Sequence, residues 1–104
     1  MPIRRVRHRY LKIRVVSEQR YSMHEVDDDI QRGVLRIYGV RGLSEVAPML
    51  IEFDEEEQTG ILRCSHLRMR RMRASLAYIT SMHDSAAAIH VVRISGTIKA
   101  LRLK

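Results

Sequence analysis

From Arg9 to Val16 the chain alternates strictly, with Leu11, Ile13 and Val15 on one side and Tyr10, Lys12 and Arg14 on the other. A period of two is the signature of a half-buried strand, with an apolar row facing a core and a charged row facing away. The period then changes. Ser22 and Glu25 form a capping box, and Met23, Val26, Ile30, Val34 and Ile37 recur at three- and four-residue spacing, which predicts a helix over 23–38 ended by Gly39.

Residues 40–47 contain Gly42 and Ser44 and read as a loop, and Met49–Phe53 has the apolar content of a strand. The polar run 55–60 is a turn, and Ile61–Ser65 resumes a strand, so the two make a hairpin. A second helix begins near His66, with Met69, Met72, Leu76, Ile79 and His83 on one side, and 84–86 leads to a fourth strand, Ile89–Ser95. The tail 99–104 is too short for another domain.

Strand, helix, strand, strand, helix, strand is an α+β order. With right-handed crossovers it closes into a ferredoxin-like, RNA-recognition-like βαββαβ sandwich, a four-stranded antiparallel sheet with two helices on one face. The 104 residues, 45% of them hydrophobic, fit one domain, 1–104, with enough apolar content for a single core.

The lone Cys64 excludes an intramolecular disulfide framework, and one thiol with scattered histidines lacks the spacing of a structural zinc site. The basic N-terminus has no following apolar stretch of the signal-peptide kind. No apolar run approaches the roughly 20 residues of a membrane span. A cytoplasmic protein with no membrane partner is the expectation.

The net charge of +7 and pI near 10.3 call for a polyanionic partner. Arginine supplies 16 of the 19 basic residues, and its planar fork suits phosphate better than an ammonium does. Asparagine is absent, which fits a hot-living source that avoids thermolabile amides.

Arg68, Arg70, Arg71 and Arg73 crowd the opening of the second helix, where the helix dipole already disfavours positive charge. A phosphate bound there relieves the repulsion; the plainer alternative is a solvated basic face. Arg4, Arg5, Arg7 and Arg9 form a second basic set, and the strand residues Lys12, Arg14, Arg63 and Arg93 a third.

Catalytic readings fare worse. Asp27, Asp28 and Asp29 are consecutive on a helix and point in three directions, so they do not converge on a magnesium ion. Cys64 and His66 lack a third residue to orient the histidine, and Cys64 reads as core. A hydrolase of the acylphosphatase kind needs an asparagine, and none is present. No catalytic and no metal-binding residue is assigned. Tyr10 is the lone aromatic in the two expected central strands, so RNA recognition is expected to rest on phosphates and shape.

Four segments together resemble one family. Arg9-Tyr10-Leu11-Lys12-Ile13-Arg14-Val15, Phe53-Asp54-Glu55 leading to Gln58-Thr59-Gly60-Ile61-Leu62-Arg63, Arg73-Ala74-Ser75-Leu76-Ala77 and Ser95-Gly96-Thr97-Ile98-Lys99 follow the order of archaeal and eukaryotic ribonuclease P protein component 2, the Pop-five family. The resemblance implies a non-catalytic subunit beside a magnesium-dependent catalytic RNA that removes 5′ leaders from precursor tRNA, with no cofactor on this chain.

It further implies ribonuclease P RNA and the barrel-fold component 3 as partners, self-association within the particle, and only indirect contact with precursor tRNA. Gly96 would let the backbone turn closely beside RNA or a partner, with Thr97 beside it and Lys99 and Arg102 extending a basic edge. The chain is read as lacking the C-terminal helix that many relatives carry. The alternative class is a general RNA-binding protein of ribosomal or chromatin type.

Overall fold

The computed structural model describes residues 7–102. The alternating segment becomes β1 (His8–Ser17), the central strand of an antiparallel sheet. The others are β2 (Met49–Asp54), β3 (Thr59–Ser65), β4 (Ser81–Met82) and β5 (Ser85–Ser95), in the order β2-β3-β1-β5-β4. The helices are α1 (Met23–Val46), α2 (Met69–Tyr78) and α3 (Ile98–Arg102).

On β1, Leu11 lies opposite Leu62 and Ile13 opposite Gly60 of β3, while the β5 register runs from Tyr10–Ser95 to Ser17–Ala87 with a bulge between Lys12 and Ile13. Leu11, Ile13 and Val15 enter one core with Val26, Ile30 and Val34 of α1, Met72 and Leu76 of α2, and Leu62 and Cys64 of β3. Both helices therefore cover the same face, and they pack against each other. No helix among the described residues is long and apolar enough to cross a membrane.

The sheet has five strands where four were expected. The second helix stops at Tyr78 instead of running to His83, and Ser81-Met82 folds back on Ser85-Ala86. His83 and Asp84 form the two-residue turn with φ of 46° and 65°, the double left-handed geometry that matches strand twist in tight hairpins. Met82 drives the change: it is buried, and its carbonyl accepts a hydrogen bond from the Tyr21 hydroxyl at 3.1 Å.

The capping box forms as the sequence predicts, with Glu25 N–H donating to Ser22 Oγ and Ser22 N–H to Glu25 Oε1. Gly39 does break the helical geometry (φ 74°), yet the segment expected as a loop re-enters helix and continues to Val46. Burial of Val46 and an Arg41–Glu45 pair one turn apart support that last stretch. Ala47 then closes the helix in the left-handed region, its N–H on the Leu43 carbonyl, before Pro48. Residues 98–102 also fold. Thr97 Oγ1 accepts from Ala100 N–H and caps α3, a short C-terminal helix where none was expected.

Gln58 holds the two ends of the chain's first half together. Its amide accepts from Tyr21 N–H at 3.0 Å and donates to the Tyr21 carbonyl at 2.9 Å and the Glu55 carbonyl at 2.7 Å. Its own backbone sits at φ 53° and its carbonyl accepts from Val15 N–H. The β1–α1 connection is thereby fixed to the β2–β3 turn. Gln58→Ala leaves those buried groups unpaired, and chemical denaturation is expected to show a loss of about 2 to 4 kcal/mol.

Burial pushes the Cys64 thiol up to about 11. The native protein is accordingly expected to resist thiol-specific reagents at pH 8 and to react once unfolded by denaturant.

Candidate nucleic-acid interface

The topology sorts charge along the molecule. The start of β1, the ends of β3 and β5, the end of α1 and the start of α2 share one end of the fold. That end gathers Arg7, Arg9, Arg41, Arg68, Arg70, Arg71 and Arg73. The opposite end carries Glu18, Glu25, Asp27, Asp28 and Asp29, the turn acids Asp54, Glu55, Glu56 and Glu57, and Asp84. Only Glu45 and Glu52 stand elsewhere among the acids of the described residues, and each is already occupied.

Glu45 sits among the arginines. Its carboxylate lies 3.0 Å from Arg68 Nη2, 3.3 Å from Arg41 Nε and 3.8 Å from Arg71 Nη1, and it accepts a hydrogen bond from Arg68 Nε at 3.1 Å. The hydrogen bond from Arg68 holds the Glu45 carboxyl below the usual carboxylate range. Arg71 also lies over the Tyr38 ring, 5.2 Å from its centroid. The helical arginines thus divide into two kinds. Arg68 and Arg71 tie α2 to the end of α1, while Arg70 and Arg73 are exposed and have no ion-pair partner among the described residues.

The start of α2 is unusual in itself. A 3₁₀ turn over His66–Arg68 leads into it, no side chain caps it, and its first turn holds no acid. The expected helix beginning near His66 is present in this two-part form.

The second basic region is the sheet face away from the helices. Tyr10 pairs with Arg63 and Ser95, Lys12 with Ile61 and Arg93, and Arg14 with Thr59 and His90, so Lys12, Arg14, Arg63 and Arg93 fall on one surface. Arg63 Nη2 reaches Met49 Sδ at 3.0 Å. Part of this face is covered by α3: Leu101 is buried beside Ile61, and Arg102 makes two hydrogen bonds to Glu52, at 3.1 and 2.8 Å.

Of the residues singled out in the sequence, Arg4 and Arg5 lie outside the described residues. Arg7 is exposed, and its carbonyl accepts from His66 N–H. Arg9 turns instead toward the helix side, its Nε donating to His66 Nδ1 at 2.8 Å. Gly96 lies beside that guanidinium, Thr97 caps α3, and Lys99 is exposed on it.

Two participants escaped the sequence reading. Glu45 fell in a segment read as loop, and His66 was weighed only as a partner for Cys64. The Arg41–Glu45 spacing of four was the one available signal for the first. Among the described residues no group of three or more His, Cys, Asp or Glu side chains is arranged to hold a metal ion.

The profile of the Rpp14/Pop5 family matches residues 9–104. The chain belongs to this family. It is 36% identical to ribonuclease P protein component 2 of Pyrococcus furiosus over 103 residues, 99% of this chain and 86% of that protein. The component 2 of Methanosarcina mazei is 30% identical over 99 residues, 95% of this chain and 84% of that one. In fold, the Rpp14/Pop5 chain described here is similar to a chain of the yeast ribonuclease MRP cryo-EM structure, with a TM-score of 0.75 at 16% identity, over 99% of this chain and 82% of that one.

The Glu45 cluster makes a pH-dependent contribution within this Rpp14/Pop5 fold. A carboxyl whose pKa is lowered by folding stabilises the fold above its unfolded value, and that stabilisation is lost as pH falls through the folded value. Melting the parent and Glu45→Gln across the acid range should therefore show the parent more stable at neutral pH. The gap should narrow as pH falls through and below the ordinary glutamate range.

Proposed function

We propose that this chain is a non-catalytic protein subunit of an archaeal-type ribonuclease P, assisting the catalytic RNA in removing 5′ leaders from precursor tRNA. The observation that carries the reading is the segregated basic end, on a chain whose relatives over nearly its whole length are ribonuclease P components. A ferredoxin-like, RNA-recognition-like scaffold suits the role: two helices back the sheet, and the arginines project from its rim and open face.

In this reading the RNA partner, not this chain, uses magnesium. Arginines of the basic end screen phosphate repulsion where RNA segments approach one another, which favours the folded RNA at lower magnesium. Arg70 and Arg73, with Lys12, Arg14 and Arg93, are available to phosphate without giving up an ion pair seen in the fold, whereas Arg68 and Arg71 share theirs with Glu45. Component 3 and a second copy of the chain are the protein partners, and precursor tRNA is reached through the RNA.

Reconstitution tests the reading. Precursor cleavage by the catalytic RNA with component 3, at moderate magnesium, is expected to rise when this chain is added, and the chain alone is expected to cleave nothing. Absence of stimulation contradicts the proposal. Equal affinity for ribonuclease P RNA and for unrelated folded RNA of the same length favours the general RNA-binding alternative.

The Arg70→Gln/Arg73→Gln double variant separates contact from fold. Its melting temperature is expected to match the parent or exceed it slightly, since charge repulsion at the start of α2 is relieved. Its RNA affinity is expected to fall by roughly 1 to 3 kcal/mol in a direct binding titration.

A further inference from the structure

We infer that Arg9 is a pre-positioned phosphate clamp, and that His66 and Gly96 exist at their places to aim it; the inference rests on the RNA-binding reading above. Arg9 leaves β1 on the helix side of the sheet, where its strand partner Cys64 is buried, and passes to the rim of the basic end. There its Nε donates to His66 Nδ1 at 2.8 Å. An imidazole nitrogen that accepts a hydrogen bond is unprotonated, so the ring carries its proton on Nε2 and is neutral. The guanidinium is anchored without being neutralised.

That distinguishes Arg9 from the ion-paired arginines. Arg32, Arg41, Arg68, Arg71 and Arg102 are each held by a carboxylate. Arg9 has no carboxylate within ion-pair distance among the described residues, and the four donors on its Nη1 and Nη2 have no acceptor there. With Nε held by His66, the parallel N–H pair of Nη1 and Nη2 is the free edge, and it suits the bidentate geometry of a phosphodiester oxygen pair. Fixing the side chain in advance also removes entropy that binding would otherwise lose.

Gly96 completes the seat. Its φ lies outside the left-handed region, so the backbone there does not require glycine. What a side chain would meet is the clamp itself: a Cβ on residue 96 would stand 2.9 Å from Arg9 Nη1, and no other heavy atom of the described residues is within 4 Å outside the adjoining residues. The far end of a flexible side chain can move aside at little cost to the fold. The consequence of alanine here is a displaced guanidinium in an intact protein. The Gly96-Thr97 pair thus has two assignments, room for Arg9 and a cap for α3.

The test uses the full chain and ribonuclease P RNA from the same source, with affinity measured over a series of salt concentrations and thermal melts run in parallel. Arg9→Gln is expected to weaken binding roughly tenfold. The log–log salt slope should become shallower by about 0.7 to 0.9, the loss of one phosphate contact. Gly96→Ala is expected to reproduce the slope change while melting as the parent does.

His66→Asn keeps an acceptor at the position of Nδ1 and should retain the parental slope, whereas His66→Leu should lose it. Parental affinity and slope in Gly96→Ala, or equal behaviour of the two His66 variants, would overturn the clamp. If the parent still stimulates cleavage in that case, the subunit reading survives. A parent without salt-dependent RNA binding sinks both.

Discussion

Everything in this fold depends on the register of β1. It is hydrogen-bonded on both sides, and its odd-numbered side chains Leu11, Ile13 and Val15 form the floor of the core while its even-numbered ones, Lys12 and Arg14, face away. A slip of one residue would carry two cations into the core and the apolar row into water, at a cost no surface interaction offsets. The same alternation therefore specifies the fold and presents the charge. The charged row is not added to a finished scaffold; it is the other side of the strand that builds it.

The connections then set the polarity of the molecule. Antiparallel pairing brings the start of β1 together with the ends of β3 and β5, so basic residues distant in sequence meet at one rim. The Gln58 amide and the Ser22–Glu25 capping box fix the opposite, acidic rim, where His83 lies 3.4 Å from Asp29 and stacks on Tyr21. Burial raises the Asp29 carboxyl, with the neighbouring His83 opposing it. Among the described residues Glu45 is the one acid at the basic end, so most of the arginine charge there is not offset locally. Such an arrangement orients an approaching polyanion before contact.

Much of this was legible in the sequence. The period-two run, the capping box and the α2 stripe Met69, Met72 and Leu76 all formed where residue spacing placed them, because each is a local signal reinforced by the core. What escaped depended on tertiary context. Gly39 breaks the helix, but burial of Val46 restarts it; Met82 is drawn into the core and makes a fifth strand of what reads as the end of the second helix; Leu101 finds Ile61 and turns residues 98–102 into α3.

The site was half legible for the same reason. Composition pointed to arginine, but which arginines of α2 and its lead-in are spent on Glu45, and what holds Arg9, is decided by neighbours 23 residues or more apart in sequence, as for Arg68 and Glu45 or Arg9 and His66.

If segregated charge decides where RNA docks, the RNA meets the arginine end and the open sheet face. Backbone amide resonances followed by NMR during titration with ribonuclease P RNA test it most directly. Perturbations are expected to cluster at residues 7–14, 66–73 and 93–99, while the turn at 54–57, the first turns of α1 and the His83-Asp84 turn stay unmoved. Perturbations centred on the acidic rim, or spread evenly over the surface, would contradict it.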